Sequence, residues 1–234
     1  MDDLRALPVS RAHPARRIHV RYRGEALVLG PARATDAEAI ADAVNQSLPE
    51  LKRFMPWAHS THTALSQLER LRGAEADYFA GRELSMALFR ERPGQRRELL
   101  VMCGLHPRVP LNPASLEVGY WAPTRNAGQG LTTFAVKCLA VYAFDKLGCD
   151  RLQVMCDEAN VGSRRVIEKV GFAFEGVLRH MTGHVPPALI EAGFVHSARN
   201  PMFALFPDTF AALPWVADIR ASLRYENLAG YEVG

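Results

Sequence analysis

Leu116-Glu117-Val118-Gly119-Tyr120-Trp121, followed by Gly128-Gln129-Gly130 and a helical pattern running to Leu147, decides the fold. Residues 116–121 read as a strand, and alternation puts Glu117, Gly119 and Trp121 on one face. Leu131, Ala135, Cys138 and Tyr142 then fall at i, i+4, i+7 and i+11, one face of a helix that Gly148 ends. A second strand from Arg151 to Cys156 follows. After Asp157-Glu158-Ala159-Asn160 comes a short helix that buries Val166, Ile167 and Val170, with Gly171 as its C-cap. A Gly-x-Gly turn opening onto a helix lets main-chain N–H groups grip a pyrophosphate. Two neighbouring strands leave a slot for the rest of a long cofactor, and the combination points to a CoA thioester. Alone, the Gly-x-Gly would equally serve as a tight turn needing positive φ.

Working outward, Glu25–Leu29 predicts a first strand, broken at Gly30-Pro31. Thr35-Asp36 caps a helix whose apolar positions Ile40, Ala43, Val44 and Leu48 repeat until Pro49. Phe54, Met55, Pro56 and Trp57 form an aromatic loop that either lines a pocket or covers the core. A second helix runs to about Gly81. Strands at 84–89, 99–105 and 116–121 joined by turns suggest an antiparallel meander. Two further strands are expected at 172–178 and 202–206, and helical character over 207–224. Residues 1–23 hold six arginines and two prolines. They read either as a basic arm that touches a polyanion such as ribosomal RNA, or as a solvated arm or surface strand. The division expected is a basic N-terminal arm (1–23), a central domain (24–206) and a helical tail packed on it (207–234).

The chain has 234 residues, 48% of them hydrophobic and 23% charged, with a net charge of +3. That is the profile of a globular protein with a sizeable core, and the small net charge does not by itself argue for nucleic acid. Cys103, Cys138, Cys149 and Cys156 form no C-x-x-C pair and suit small core positions in a reducing cytoplasm. No run of residues reaches the length of a membrane span, and no signal-peptide core is present. His59-x-x-His62 and His180-x-x-x-His184 have metal-compatible spacings but no third ligand nearby in sequence, so no metal is expected.

The motif set Glu117-Val118-Gly119-Tyr120-Trp121, Gly128-Gln129-Gly130-Leu131-Thr132-Thr133, Tyr142-Ala143-Phe144, Asn160-Val161-Gly162-Ser163 and Glu168-Lys169-Val170-Gly171-Phe172 resembles the GNAT superfamily of acyl-CoA N-acyltransferases. The RimJ/RimL type, which acetylates protein N-termini, is the nearest match. The resemblance implies an α/β fold with a mixed, mostly antiparallel sheet, flanking helices and a splayed central strand pair. It implies acetyl-CoA as cosubstrate, held by the main chain of Ala127, Gly128, Gln129, Gly130, Leu131 and Thr132, and by the strand edge at Gly119, Tyr120 and Trp121. An N–H near Gly119 or Tyr120 would polarise the thioester carbonyl.

The resemblance also directs attention to proton transfer. Many members carry a tyrosine on the helix before the Gly-Phe pair; here that position is Ile167, which cannot donate. The serine three residues after the asparagine is present as Ser163, which makes it the candidate donor to the departing thiolate, with Asn160 its cofactor-binding companion. Helix capping is the competing role for both. Glu117 is the candidate base, or alternatively an ion-paired strand carboxylate. A downstream glutamate that some members use as base aligns with Thr182. Where the family has Gln or Arg before the first glycine this chain has Ala127, and Arg125 could stand in. The acceptor implied is a protein or peptide N-terminal α-amine. A small-molecule amine (polyamine, amino sugar or metabolite) and a non-catalytic acyl-CoA-binding module are the alternatives. No membrane partner is expected, nor nucleic acid except indirectly through a ribosomal protein, and the protein would be a monomer or homodimer.

Overall fold

The computed structural model describes residues 4–108, 112, 114–181 and 185–233. Its strands are β1 (Arg17–Tyr22), β2 (Glu25–Pro31), β3 (Leu84–Arg90), β4 (Glu98–Pro107), β5 (Ser115–Trp121), β6 (Arg151–Met155), β7 (Ala173–Arg179), β8 (Arg199–Leu205), β9 (Arg224–Glu226) and β10 (Glu232–Val233). Its helices are α1 (Ala37–Leu51), α2 (Ala64–Phe79), α3 (Leu131–Lys146), α4 (Val161–Val170), α5 (Pro187–Glu191), α6 (Pro207–Ala211) and α7 (Val216–Ser222). The strands form one sheet in the order β10-β9-β1-β2-β3-β4-β5-β6-β8-β7. Every pairing is antiparallel except β5 with β6, which α3 joins as a crossover.

The parallel ladder is short. Ser115 pairs with Arg151, Leu116 with Leu152 and Glu117 with Gln153, and the pairing stops there. β5 nevertheless continues to Trp121 on β4, and β6 to Met155 on β8. The two strands therefore part in the middle of the sheet, the splay that the motif set implied.

Alternation along each strand divides the core in two. On one face Leu88, Val101, Leu105, Val118 and Val154 pack against α3 and α4. On the other, Ala87, Phe89, Leu99 and Met102 meet α1 and α2. Helix α3 is buried on nearly every side, not on one face as its spacing predicts. Its outer side is covered by the C-terminal helices, where Phe144 stacks on Phe210 at 4.5 Å between ring centroids, and by the N-terminal segment, where Ala15 N–H donates to Tyr142 Oη (2.9 Å).

The chain ends add to the sheet. Of the readings open for residues 1–23, Arg17–Tyr22 takes that of a strand: Ile18 and Val20 are buried and β1 pairs with β2. The tail is not one helix, because Pro214 separates α6 from α7. Its last residues return to the sheet as β9 and β10 beside β1, and buried Asn227 donates to the carbonyls of Leu4 and Leu7. Helix α1 runs past Pro49 to Leu51, since the following turn still closes through Lys52 N–H to Leu48 O (3.0 Å).

A β-bulge shapes the strand beside the splay. Leu88 pairs with Val101 and Phe89 with Leu99, leaving Leu100 as the extra residue in β4. The buried Asn126 side chain donates to Leu99 O (3.2 Å) and Leu100 O (3.1 Å). It ties the segment after β5 to the bulge, on the approach to Gly128. Asn126→Ala should leave these buried carbonyls short of donors and lower unfolding stability by about 1–3 kcal/mol, read as a shift of the urea midpoint.

Candidate active site

The glycine turn has the backbone that its sequence predicts. Gly128 and Gly130 have φ of +73° and +81°, where a side chain is strained. A Cβ on Gly128 would meet nothing within 4 Å, so space is open above the turn. No described residue accepts from the N–H groups of Gly128, Gln129 or Gly130. Gly130 is the N-cap of α3 and has no side chain to cap it. Unpaired N–H groups with the positive end of a four-turn helix are a fitting place for a phosphate. Tyr22 braces the turn from the first hairpin: its hydroxyl donates to Gln129 O (2.8 Å) and its ring lies on Phe134 (4.7 Å).

The other predicted turn residues scatter. Ala127 is exposed, Leu131 is buried beneath the helix start and Thr132 is half-buried. The Arg125 side chain reaches α1, donating to Gln46 Oε1 (3.2 Å), while its carbonyl accepts from Gln129 (2.8 Å).

Beyond the last ladder pair, the splay opens into a cleft of about 600 Å³. Gly119, Tyr120, Trp121, Cys156, Asn160 and Ser163 line it. Ser163 comes from the first turn of α4, where Asn160 caps the helix by accepting from Ser163 N–H (3.0 Å). Asn160 thus has the capping role, and Ser163 is held at the third helical position with its hydroxyl 2.9 Å from Tyr120 Oη. Tyr120 points to the α4 side of the sheet, opposite to Glu117. Burial pushes its phenol well above the ordinary tyrosine range, against the Ser163 hydrogen bond, so it stays protonated. Cys156, at the open end of β6, is also pushed up by burial, opposed by its Ser163 hydrogen bond and by Arg164. Ile167 is fully buried and does not reach the cleft.

Glu117 lines the cleft from the other face. Its two oxygens are engaged, one by Arg108 Nε (3.3 Å) and the other by Gln153 Nε2 (3.1 Å). The latter bond joins the final pair of the parallel ladder. Beside it stands His106, the cross-strand partner of Glu117, whose Nδ1 lies 2.9 Å from Glu83 Oε1. Sequence reading passed over His106. Its signal was a pair of glycines inside strands, Gly104 and Gly119, which mark a close approach. The far wall is aromatic: Phe54–Trp57 and Phe194–His196 line the cleft, joined by Val195 N–H to Arg53 O (2.7 Å). Thr182 and His184 lie outside the described residues. Among the described residues no group of three His, Cys, Asp or Glu is placed to hold a metal, and no helix is long and apolar enough to cross a membrane.

Residues 26–173 match the acetyltransferase (GNAT) domain family. The chain belongs to this family. It is an acyltransferase by membership, with the mixed sheet and parallel splayed pair just described. Relatives extend the match. A Bacillus subtilis (strain 168) protein, YdaF, provisionally named a ribosomal N-acetyltransferase, is 29% identical over 148 residues, covering 62% of this chain and 76% of the relative. RimJ of Mycobacterium smegmatis, solved with CoA-disulfide, superposes with a TM-score of 0.67 at 20% identity, over 88% of this chain and 95% of that one. RimL, a ribosomal L7/L12 α-N-protein acetyltransferase solved with CoA in disulfide linkage to a cysteine, gives 0.64 at 18%, over 82% and 99%. At these identities the structures show the shared fold.

In this GNAT chain the turn tolerates no side chain at Gly130. A Cβ there would lie 2.6 Å from Tyr22 Oη. Gly130→Ala should cost about 1–3 kcal/mol of stability through the forced left-handed backbone and weaken CoA binding by calorimetry. Tyr22→Phe, which removes only the brace, should weaken binding less.

Proposed function

We propose that the protein transfers an acetyl group from acetyl-CoA to an amine, with a protein or peptide N-terminal α-amine as acceptor. The observation that carries this reading is the opening of β5 from β6 directly after Glu117 and Gln153, with the uncapped Gly128–Gly130 turn leading into α3. The turn's N–H groups would take the pyrophosphate, and the unpaired edge of β5 would take the pantetheine arm as an added strand. The thioester would then lie beside Gly119 and Tyr120, within reach of Ser163.

Attack by a neutral amine on the acetyl carbon expels the CoA thiolate. The Tyr120–Ser163 hydrogen bond offers it a proton: Ser163 donates, and the protonated Tyr120 phenol orients and resupplies it. RimL, an α-N-protein acetyltransferase, supports the α-amine acceptor, as does the α-amine's pKa near 7.7–8.0, which leaves part of it neutral without help, unlike a lysine near 10.4. The joined aromatic segments favour a second reading, a small amine, because they narrow the acceptor side.

Thiol release from acetyl-CoA decides between them. Turnover with a pool of peptides of varied N-terminus is expected; turnover with small amines alone supports the second reading, and tight CoA binding without turnover defeats both. Ser163→Ala should lower kcat by roughly 10²-fold with little change in KM for acetyl-CoA. Intact kcat in both Ser163→Ala and Tyr120→Phe would remove the proton-donor assignment.

Cys156 gives a check that needs no turnover. It lines the cleft next to Ser163, where the CoA sulfur would arrive. CoA disulfide should add one CoA to the protein, seen by intact mass, and Cys156→Ala should abolish the adduct. Because burial raises the thiol's pKa, the thiolate forms only at alkaline pH, so the reaction should quicken as pH rises.

A further inference from the structure

We propose that His106, oriented by Glu83, is the base that takes the proton from the acceptor amine. The inference rests on reading the cleft as an acetyl-transfer site, and it fills the role for which Glu117 was the sequence candidate.

The imidazole occupies a place prepared for it. Gly104 and Gly119 are directly opposed on β4 and β5. A Cβ on Gly104 would lie 3.1 Å from His106 Nε2, and one on Gly119 3.2 Å from the same atom. The ring therefore lies over the two glycines, and a side chain at either would push it aside. Nε2 is thereby set above Gly119, the strand residue beside which the thioester would lie. The other nitrogen, Nδ1, faces Glu83 Oε1 at 2.9 Å. With Nδ1–H donated to this carboxylate, Nε2 presents its lone pair, and no described residue bonds to it. Base and orienting acid in hydrogen-bond contact, with the second nitrogen aimed at the reacting position, is the geometry that general-base catalysis asks for.

Glu117 is less suited to the task. Arg108 and Gln153 hold its two oxygens, and protonation would cost it those bonds. As the cross-strand neighbour of His106 it places a negative charge beside the imidazolium that forms. Of the charged groups that line the cleft, Glu83 from the turn before β3 bonds to the ring, Glu117 of β5 is its cross-strand partner and Arg108 after β4 binds Glu117, while Arg70 of α2 and Asp157 after β6 complete the lining.

The proton balance closes. An ammonium R–NH3+ gives one proton to Nε2, and the neutral nitrogen then forms the N–C bond as the C–S bond breaks. The nitrogen sheds a second proton to solvent as the amide forms, while the Tyr120–Ser163 pair gives one proton to the thiolate and recovers one from solvent. The imidazolium releases its proton to water, so each turnover yields one amide, one CoA thiol and one free proton.

The test compares the kcat–pH profiles of the full-length protein and its variants with a peptide acceptor, since kcat reports groups in the loaded enzyme. His106→Gln should lower kcat by about 10²–10⁴-fold and leave only the acid limb set by the acceptor amine's own ionisation, which moves with the choice of peptide N-terminus, while the Cys156–CoA adduct still forms. Glu83→Gln should lower kcat less, because the imidazole loses the partner that orients it but keeps its Nε2 over the two glycines. Added imidazole should restore part of the activity of His106→Ala. A His106→Gln variant within about threefold of wild type, or one whose pH profile is that of wild type, overturns the assignment and leaves the transferase reading standing. A wild-type protein that forms the CoA adduct but acetylates neither pool overturns both.

Discussion

The loss of pairing between β5 and β6 after Glu117 and Gln153 is the constraint on which the site depends. A parallel pair buried inside a sheet gives up main-chain hydrogen bonds when it parts, and those groups need other partners. Each strand keeps its outer neighbour, β4 for β5 and β8 for β6, so each remains half-paired. The side-chain bond between the last paired residues marks the branch point. Below it, Tyr120 packs against the core and reaches α4. The inner edges are left exposed within the protein, where an extended ligand can add as a strand.

The remaining parts are fixed relative to that opening by bonds between distant segments. Asn126 ties the segment after β5 to the bulge in β4. Tyr22 ties the glycine turn to the first hairpin. Ser47 Oγ accepts from Thr124 N–H (3.0 Å), holding the same segment to α1. Three attachments to three elements make the glycine turn a fixed part of the scaffold, and a preformed turn gives up little conformational entropy when a ligand binds.

The order of the central elements was legible in the sequence because it rests on local rules: alternation over 116–121, helical spacing after Gly130, and glycines where the backbone needs positive φ. The placement of Ser163 was also legible, since three residues after an N-cap is a fixed geometry. What was hidden depends on pairing between segments far apart. The Arg17–Tyr22 strand stayed one alternative among several, because the charge of an arginine-rich stretch masked its alternation. The two-strand return of the tail has only short ladders to announce it. Burial of α3 on all sides follows from what covers it, which its own periodicity cannot report. His106 became visible only when Gly104 and Gly119 were seen to face each other, a matter of register between two strands.

The return of the tail also bears on how the molecule is made. β1 has β2, its neighbour in sequence, on one side, but its other edge is covered only when the much later β9 has been made. Until then the nascent domain presents an unprotected strand edge to its surroundings, the kind of surface on which chains adhere to one another. The same late residues anchor the opening segment through Asn227. Covering of the β1 edge and fastening of Leu4 and Leu7 are thus one event, which waits for residues 224–227.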